Sequence, residues 1–187
     1  VNTYGIEAAA GTTNIIVSDN TVMGGTDYGL LIANINTKQR MLFRDNVFSG
    51  AQQQGMLIQG DTPITTTYFY QNEIVENAAG GVRMLGEINH VTFDSNIISN
   101  NMSHGIILET NSLNAISFVN NTVQENAGFS VSGNVTGPDL EWANNSVTGN
   151  GFNRNLTSKG FSNTQPTLSF TSEVLGTTQS TVHVGDH

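Results

Sequence analysis

Asparagine returns at Asn20, Asn46, Asn72, Asn96, Asn121 and Asn145, at intervals of 26, 26, 24, 25 and 24 residues. A fixed period in this range marks a chain built of stacked supersecondary units, each unable to bury its own apolar face, rather than one folded around a single centre. Further columns keep the same register. Three residues before each asparagine stand Val17, Phe43, Phe69, Phe93, Phe118 and Trp142, and two after it stand Val22, Phe48, Ile74, Ile98, Val123 and Val147. Five after it come Asn77, Asn101, Asn126 and Asn150, with the small Gly25 and Ala51 in the first two units. Nine after it come Gly29, Gly55, Gly81 and Gly105, each opening an alternating apolar segment, while the fifth unit has Phe129-Ser130-Val131 instead.

These columns predict an all-β, right-handed parallel β-helix of about six coils with three short strands per coil. Alternation by two is the period of a half-buried strand, and the Gly and Asn positions between segments suit turns with unusual backbone angles. Coils stacked about 4.8 Å apart place like residues above one another. Asparagine amides can then hydrogen-bond along the axis while aromatics fill the bore, as in cross-β ladders. Leucine-rich repeats share the period but require leucines at fixed offsets and a helical segment; neither is present.

The segment Val91 to Asn101, followed by Gly105-Ile106-Ile107-Leu108, resembles the generic β-helix repeat of the pectate-lyase-like superfamily, and the likeness covers roughly residues 4 to 152. The resemblance implies that the recurring asparagines lie in the short turn between the second and third sheets. It also implies that the glycine-led strands form the first sheet, whose outer face carries the active cleft in enzymes of that superfamily. Gly5-Ile6-Glu7-Ala8 looks like another first-sheet strand, so the chain is expected to enter partway through a coil, with upstream coils or a partner over that end. Residues 1–155 are read as β-helix. Residues 156–187, rich in Thr and Ser with alternating stretches at Thr167 to Phe170 and Thr181 to Val184, are read as a β-rich cap or a lead into another domain.

Charge narrows the function classes. Of 187 residues 11% are charged, the net charge is −9, and six Lys and Arg are scattered singly, so there is no basic stripe to follow phosphates and nucleic acid is not expected as a partner. No apolar run approaches the roughly 18 residues of a membrane span. Without cysteine, disulfides and thiolate metal sites are excluded.

Polysaccharide lyases and epimerases need a base for the C5 proton, a cation beside the carboxylate and an acid for the leaving oxygen. On the expected outer face of the first sheet the positions are Leu31 and Ala33, Leu57 and Gln59, Arg83 and Leu85, then Ile107 and Glu109. Arg83 and Glu109 sit one coil apart, with His104 in the turn before and Asp61 just past a strand end. The catalytic candidates are therefore Arg83, His104 and Glu109, against a plainer reading as a surface ion pair beside a turn histidine. Leu31, Leu57, Leu85 and Ile107 form an apolar stripe that calls for cover by a turn, the C-terminal tail or a neighbouring subunit. Together with Gln59, Arg83 and Glu109 they are the candidate substrate-binding or interface surface.

Asp19 and Asp45 stack one coil apart and Asp94 lies close to the same column. Calcium is the ion such carboxylates would take, but Gln71, Asn120 and Asn144 occupy the remaining coils, so the column reads as a polar turn; no metal or other cofactor is assigned. Sequons begin at Asn101, Asn120, Asn134, Asn144 and Asn155, as expected in so Asn-, Ser- and Thr-rich a chain. The functional expectation is a non-catalytic stalk, adhesin or assembly module of a larger secreted or cell-surface protein. Its expected partners are further coils or domains of the same protein, a homo-oligomer or carbohydrate. The alternatives are a fragment of a carbohydrate-active enzyme and a phage tailspike-like module.

Overall fold

A computed structural model of the protein describes residues 4–9, 11–33, 40–64, 66–136, 140–151 and 156–159, with the backbone alone described for 61–64, 110–114, 133–136 and 156–159. Among the described residues seventeen strands follow one another: β1 (Tyr4–Ala8), β2 (Ile15–Ser18), β3 (Thr21–Met23), β4 (Tyr28–Ala33), β5 (Met41–Arg44), β6 (Val47–Ser49), β7 (Gln54–Ile64), β8 (Thr67–Tyr70), β9 (Glu73–Val75), β10 (Gly80–Asp94), β11 (Ile97–Ser99), β12 (His104–Val119), β13 (Thr122–Gln124), β14 (Val131–Thr136), β15 (Leu140–Ala143), β16 (Ser146–Thr148) and β17 (Leu156–Lys159). Among the described residues there is no helix. Every strand pairs in parallel with its counterpart one coil away, which is a parallel β-solenoid.

The first sheet runs β1-β4-β7-β10-β12-β14-β17 and the third runs β3-β6-β9-β11-β13-β16. The second consists of β2, β5, β8, the C-terminal halves of β10 and β12, and β15. Two expectations change in detail. The six strands of the third sheet delimit about five full turns, because counting rungs counts both ends of the stack. Three strands per coil holds for the coils of β4 to β6, β7 to β9 and β14 to β16. In the two coils between them the first two strands run together as β10 and β12, whose ladder continues past the corner residues His90 and Ala115. Beyond Asn155, β17 adds a further strand against β14. The stretches at Thr167 and Thr181 lie outside the described residues.

Among the described residues the coils bend at three corners marked by residues of positive φ. At the first corner these are Asn14, Thr66, His90 and Ala115. At the second they are Asp19, Asp45, Gln71, Ser95, Asn120 and Asn144. At the third they are Gly24, Gly50, Glu76, Asn100, Glu125 and Gly149. The polar column read as a turn is thus the left-handed residue itself, for which Asn and Asp carry the smallest penalty after glycine. Gly29, Gly55, Gly81 and Gly105 have a different reason to be glycine. None has a positive φ, but a Cβ on Gly81 would stand 2.5 Å from the carbonyl oxygen of Gly105 and the same distance from Ile98. Close approach between stacked coils demands glycine there.

The asparagines immediately after the second corner form an unbroken ladder. Asn96 Nδ2 donates to Asn121 Oδ1 (3.0 Å) and to the carbonyl of Phe69 (2.9 Å), while its Oδ1 accepts from the backbone N–H of Asn72 (2.9 Å) and from Asn72 Nδ2 (3.0 Å). The same set recurs at Asn46, Asn72 and Asn121. Asn77, Asn101 and Asn126 repeat it at the third corner, ending on Asn150. Only a primary amide of this length supplies both donors and the doubly accepting oxygen, so the buried ladder amides satisfy one another. Inside, Phe43, Phe69, Phe93 and Phe118 stack with centroids 5.2, 4.4 and 4.9 Å apart, and Trp142 caps the row at 5.5 Å.

Differences in coil length are taken up at the first corner. Gly86 pairs with Gly60, then Ile88 with Ile64; Leu85 pairs with Glu109, then Glu87 with Ser112. The extra residues of β7 and β12 relative to β10 lie between those pairs, as bulges that leave both ladders in step.

Candidate functional site

The candidate outer-face residues lie on the first sheet in two rows. Leu31 pairs with Leu57, Leu57 with Arg83 and Arg83 with Ile107 in one row; Ala33, Gln59, Leu85 and Glu109 make the next. Because successive side chains of a strand point to opposite faces and Leu30, Ile32, Met56 and Ile58 fill the bore, both rows face away from it. Arg83 Nε and Nη2 donate to Glu109 Oε2 at 3.1 and 2.6 Å. Both side chains remain partly open to solvent, so the ion pair is screened and contributes little to stability.

The apolar stripe is largely covered, and by residues of the first sheet itself. Leu31 and Leu57 are each 6% exposed; Gln59, Leu85 and Ile107 are half-buried. Tyr4 and Tyr28, together with Leu85, pack on Leu31, Ala33 and Leu57, and the two tyrosine rings stack with centroids 6.1 Å apart. The Tyr28 hydroxyl donates to Gln53 Oε1 at 2.9 Å. Burial pushes the Tyr28 phenol up, opposed in part by the Arg83 guanidinium. These tyrosines were missed by sequence reasoning although a signal existed: each immediately precedes a glycine-led segment, Tyr4-Gly5 and Tyr28-Gly29.

His104 occupies that same position before Gly105 and opens β12 rather than standing in a turn. It faces Phe129, not the Arg83–Glu109 pair. Its Nδ1 accepts the backbone N–H of Phe129 at 2.8 Å, and the two rings stack at 5.0 Å with 4° between their planes. An imidazole accepting at Nδ1 is neutral with its proton on Nε2, and burial lowers its pKa further. A Cβ on Gly128 would come within 2.5 Å of that Nδ1, so the turn is shaped around the ring. Asp61, expected past a strand end, lies within β7.

The aspartate column is engaged by an arginine. Arg44 Nη1 meets Asp45 at 2.6 Å and Nη2 lies 3.9 Å from Asp19. Asp94 is in register with Tyr70, one position from the corner that Ser95 occupies, and accepts from Ser95 Oγ and Asn120 Nδ2. Among the described residues no group of three or more His, Asp or Glu side chains converges on a common point. Of the sequons, Asn101 is locked in the buried ladder, whereas Asn120 and Asn144 are exposed on the second corner.

Parallel coils, axial amide ladders and a stacked aromatic bore define a right-handed β-solenoid. Residues 4–168 match the right-handed β-helix region family, and the chain belongs to it. The architecture is consistent with the pectate-lyase-like superfamily that the repeat resembles. No curated protein and no solved structure matches the chain.

Proposed function

We propose that this chain is a non-catalytic β-helical module, a rigid stalk or adhesive segment of a larger secreted or cell-surface protein. The observation that carries the reading is that the three catalytic candidates, Arg83, His104 and Glu109, are already engaged by other groups of the chain. Arg83 and Glu109 neutralise each other, His104 spends its acceptor nitrogen on a backbone N–H, and the neighbouring leucines lie under tyrosine rings. Proton abstraction from a uronate would need a base free to reach the substrate and an unpaired cation beside its carboxylate. The amide ladders support a mechanical role, since each coil is bonded to the next through side chains as well as backbone.

The test is to incubate the protein with a panel of uronate polymers and follow unsaturated ends by ultraviolet absorbance, with particle shape measured by light scattering and electron microscopy. No cleavage and an elongated particle are expected. Cleavage that disappears in Glu109→Gln would replace this reading with that of an enzyme fragment.

A further inference from the structure

The second sheet carries a feature on its outer face that the first sheet lacks. On β8 the pattern alternates strictly: Thr67 and Phe69 point into the bore, while Tyr68 and Tyr70 are 50% and 39% exposed. The two phenol rings leave the same strand face two residues apart, about 7 Å between their Cα atoms. Their neighbours one coil either side are known from the register: Leu42 and Thr92 flank Tyr68, and Arg44 and Asp94 flank Tyr70. Tyr70 thus stands between a guanidinium held by Asp45 and a carboxylate held by Ser95 and Asn120.

We infer that this face is a binding site for a neutral saccharide. Exposed tyrosines with two rotatable torsions offer flat apolar plates at low entropic cost, suited to the C–H faces of sugar rings. Arg44 and Asp94 offer oriented donors and acceptors at the rim for hydroxyl groups, with spare lone pairs and N–H groups beyond those already bonded. Charge selects among sugars. One arginine stands among Asp19, Asp45 and Asp94, so the surroundings are net negative and disfavour a uronate or sulfated chain. Size selects against a protein partner. The exposed apolar area of Ile16, Tyr68 and Tyr70 is roughly 300 Å², taking about 200 Å² for a whole large side chain, short of the roughly 450 Å² of apolar surface that each partner brings to a stable interface of about 800 Å² per side. An area of that size fits a few sugar rings. The inference does not depend on the stalk reading, because the site lies on a different sheet from Arg83 and Glu109.

The test is affinity electrophoresis of the whole chain through gels carrying dextran, galactomannan or polygalacturonate, with Tyr68→Ala, Tyr70→Ala and the matching phenylalanine variants alongside. Retardation by a neutral polymer is expected, weakened about tenfold or more in each alanine variant and retained in the phenylalanine variants, with no retardation by polygalacturonate. Melting curves should be unchanged, since both side chains are solvent-facing. If an alanine variant melts early, titrating the unsubstituted chain with mannan oligosaccharides and following its tyrosine ring protons by NMR gives the same answer. Absence of retardation and of ring shifts, retardation that survives both alanine variants, or preference for polygalacturonate would overturn the assignment. So would a dimer in light scattering that Tyr68→Ala dissolves, which would give the face to a second copy of the chain.

Discussion

The first and second corners of the same coils are built on opposite terms. At the second corner every coil spends the same number of residues, one left-handed position and one asparagine, buried from Asn46 onward, and the amides bond one another from Asn20 to Asn145. At the first corner the coils differ in length, bulges absorb the difference, and among the described residues no side-chain ladder crosses from coil to coil. A corner whose side chains must hydrogen-bond along the axis cannot change length without leaving buried amides unpaired. One closed by backbone alone can. The rigid corner therefore sets the register of the stack, and the adjustable one is where a coil tolerates insertion.

Substitutions at the rigid corner should do the most damage. Asn96→Asp removes two donors and sets carboxylate oxygens against the carbonyl of Phe69 and Oδ1 of Asn121, and should cost about 4 kcal/mol or more in urea unfolding. A fully stable Asn96→Asp would break the comparison outright. Phe93→Ala, which opens a gap between Phe69 and Phe118 in the bore, should cost about 3 to 4 kcal/mol by the same assay.

His104 sharpens the contrast from a third direction. Its folded-state pKa lies below the ordinary 6.5, so the unfolded chain binds the proton more readily. The stability it supports is present above about pH 6.5 and is lost as pH falls through the lowered folded value, because a protonated Nδ1 cannot accept from Phe129 N–H. The lost hydrogen bond is worth about 1 kcal/mol, and His104→Gln should flatten that part of the pH–stability curve.

Two residues inserted after Gly86, the place where β7 is already longer, should cost less than about 1 kcal/mol. The same insertion after Asn96 should abolish the cooperative transition. Least of all, Arg83→Ala should cost under about 1 kcal/mol, since its pair with Glu109 is solvent-screened. A larger loss would mean that the outer face of the first sheet is more tightly organised than its exposure suggests.

The ladder asparagines, the aromatic column and the outward rows of the first sheet were all legible from spacing, because identical positions of stacked coils must repeat in sequence. Less legible was why glycine recurs at Gly81: the column was visible, but the encroaching Gly105 carbonyl belongs to the next coil. Tyr4 and Tyr28 escaped for a related reason. They share a column with Gln54, Gly80 and His104, so the pattern holds no common side chain to notice.

The period of the asparagines by itself determined the solenoid, its register and the identity of its bore, since only residues brought back at constant intervals can bond along the axis. Tertiary structure alone decided what the surface groups do. Whether Arg83 meets Glu109, whether His104 turns to Phe129, and whether Leu31 and Leu57 face water or lie under tyrosines depends on corner geometry between coils, which residues of no fixed type in each repeat control.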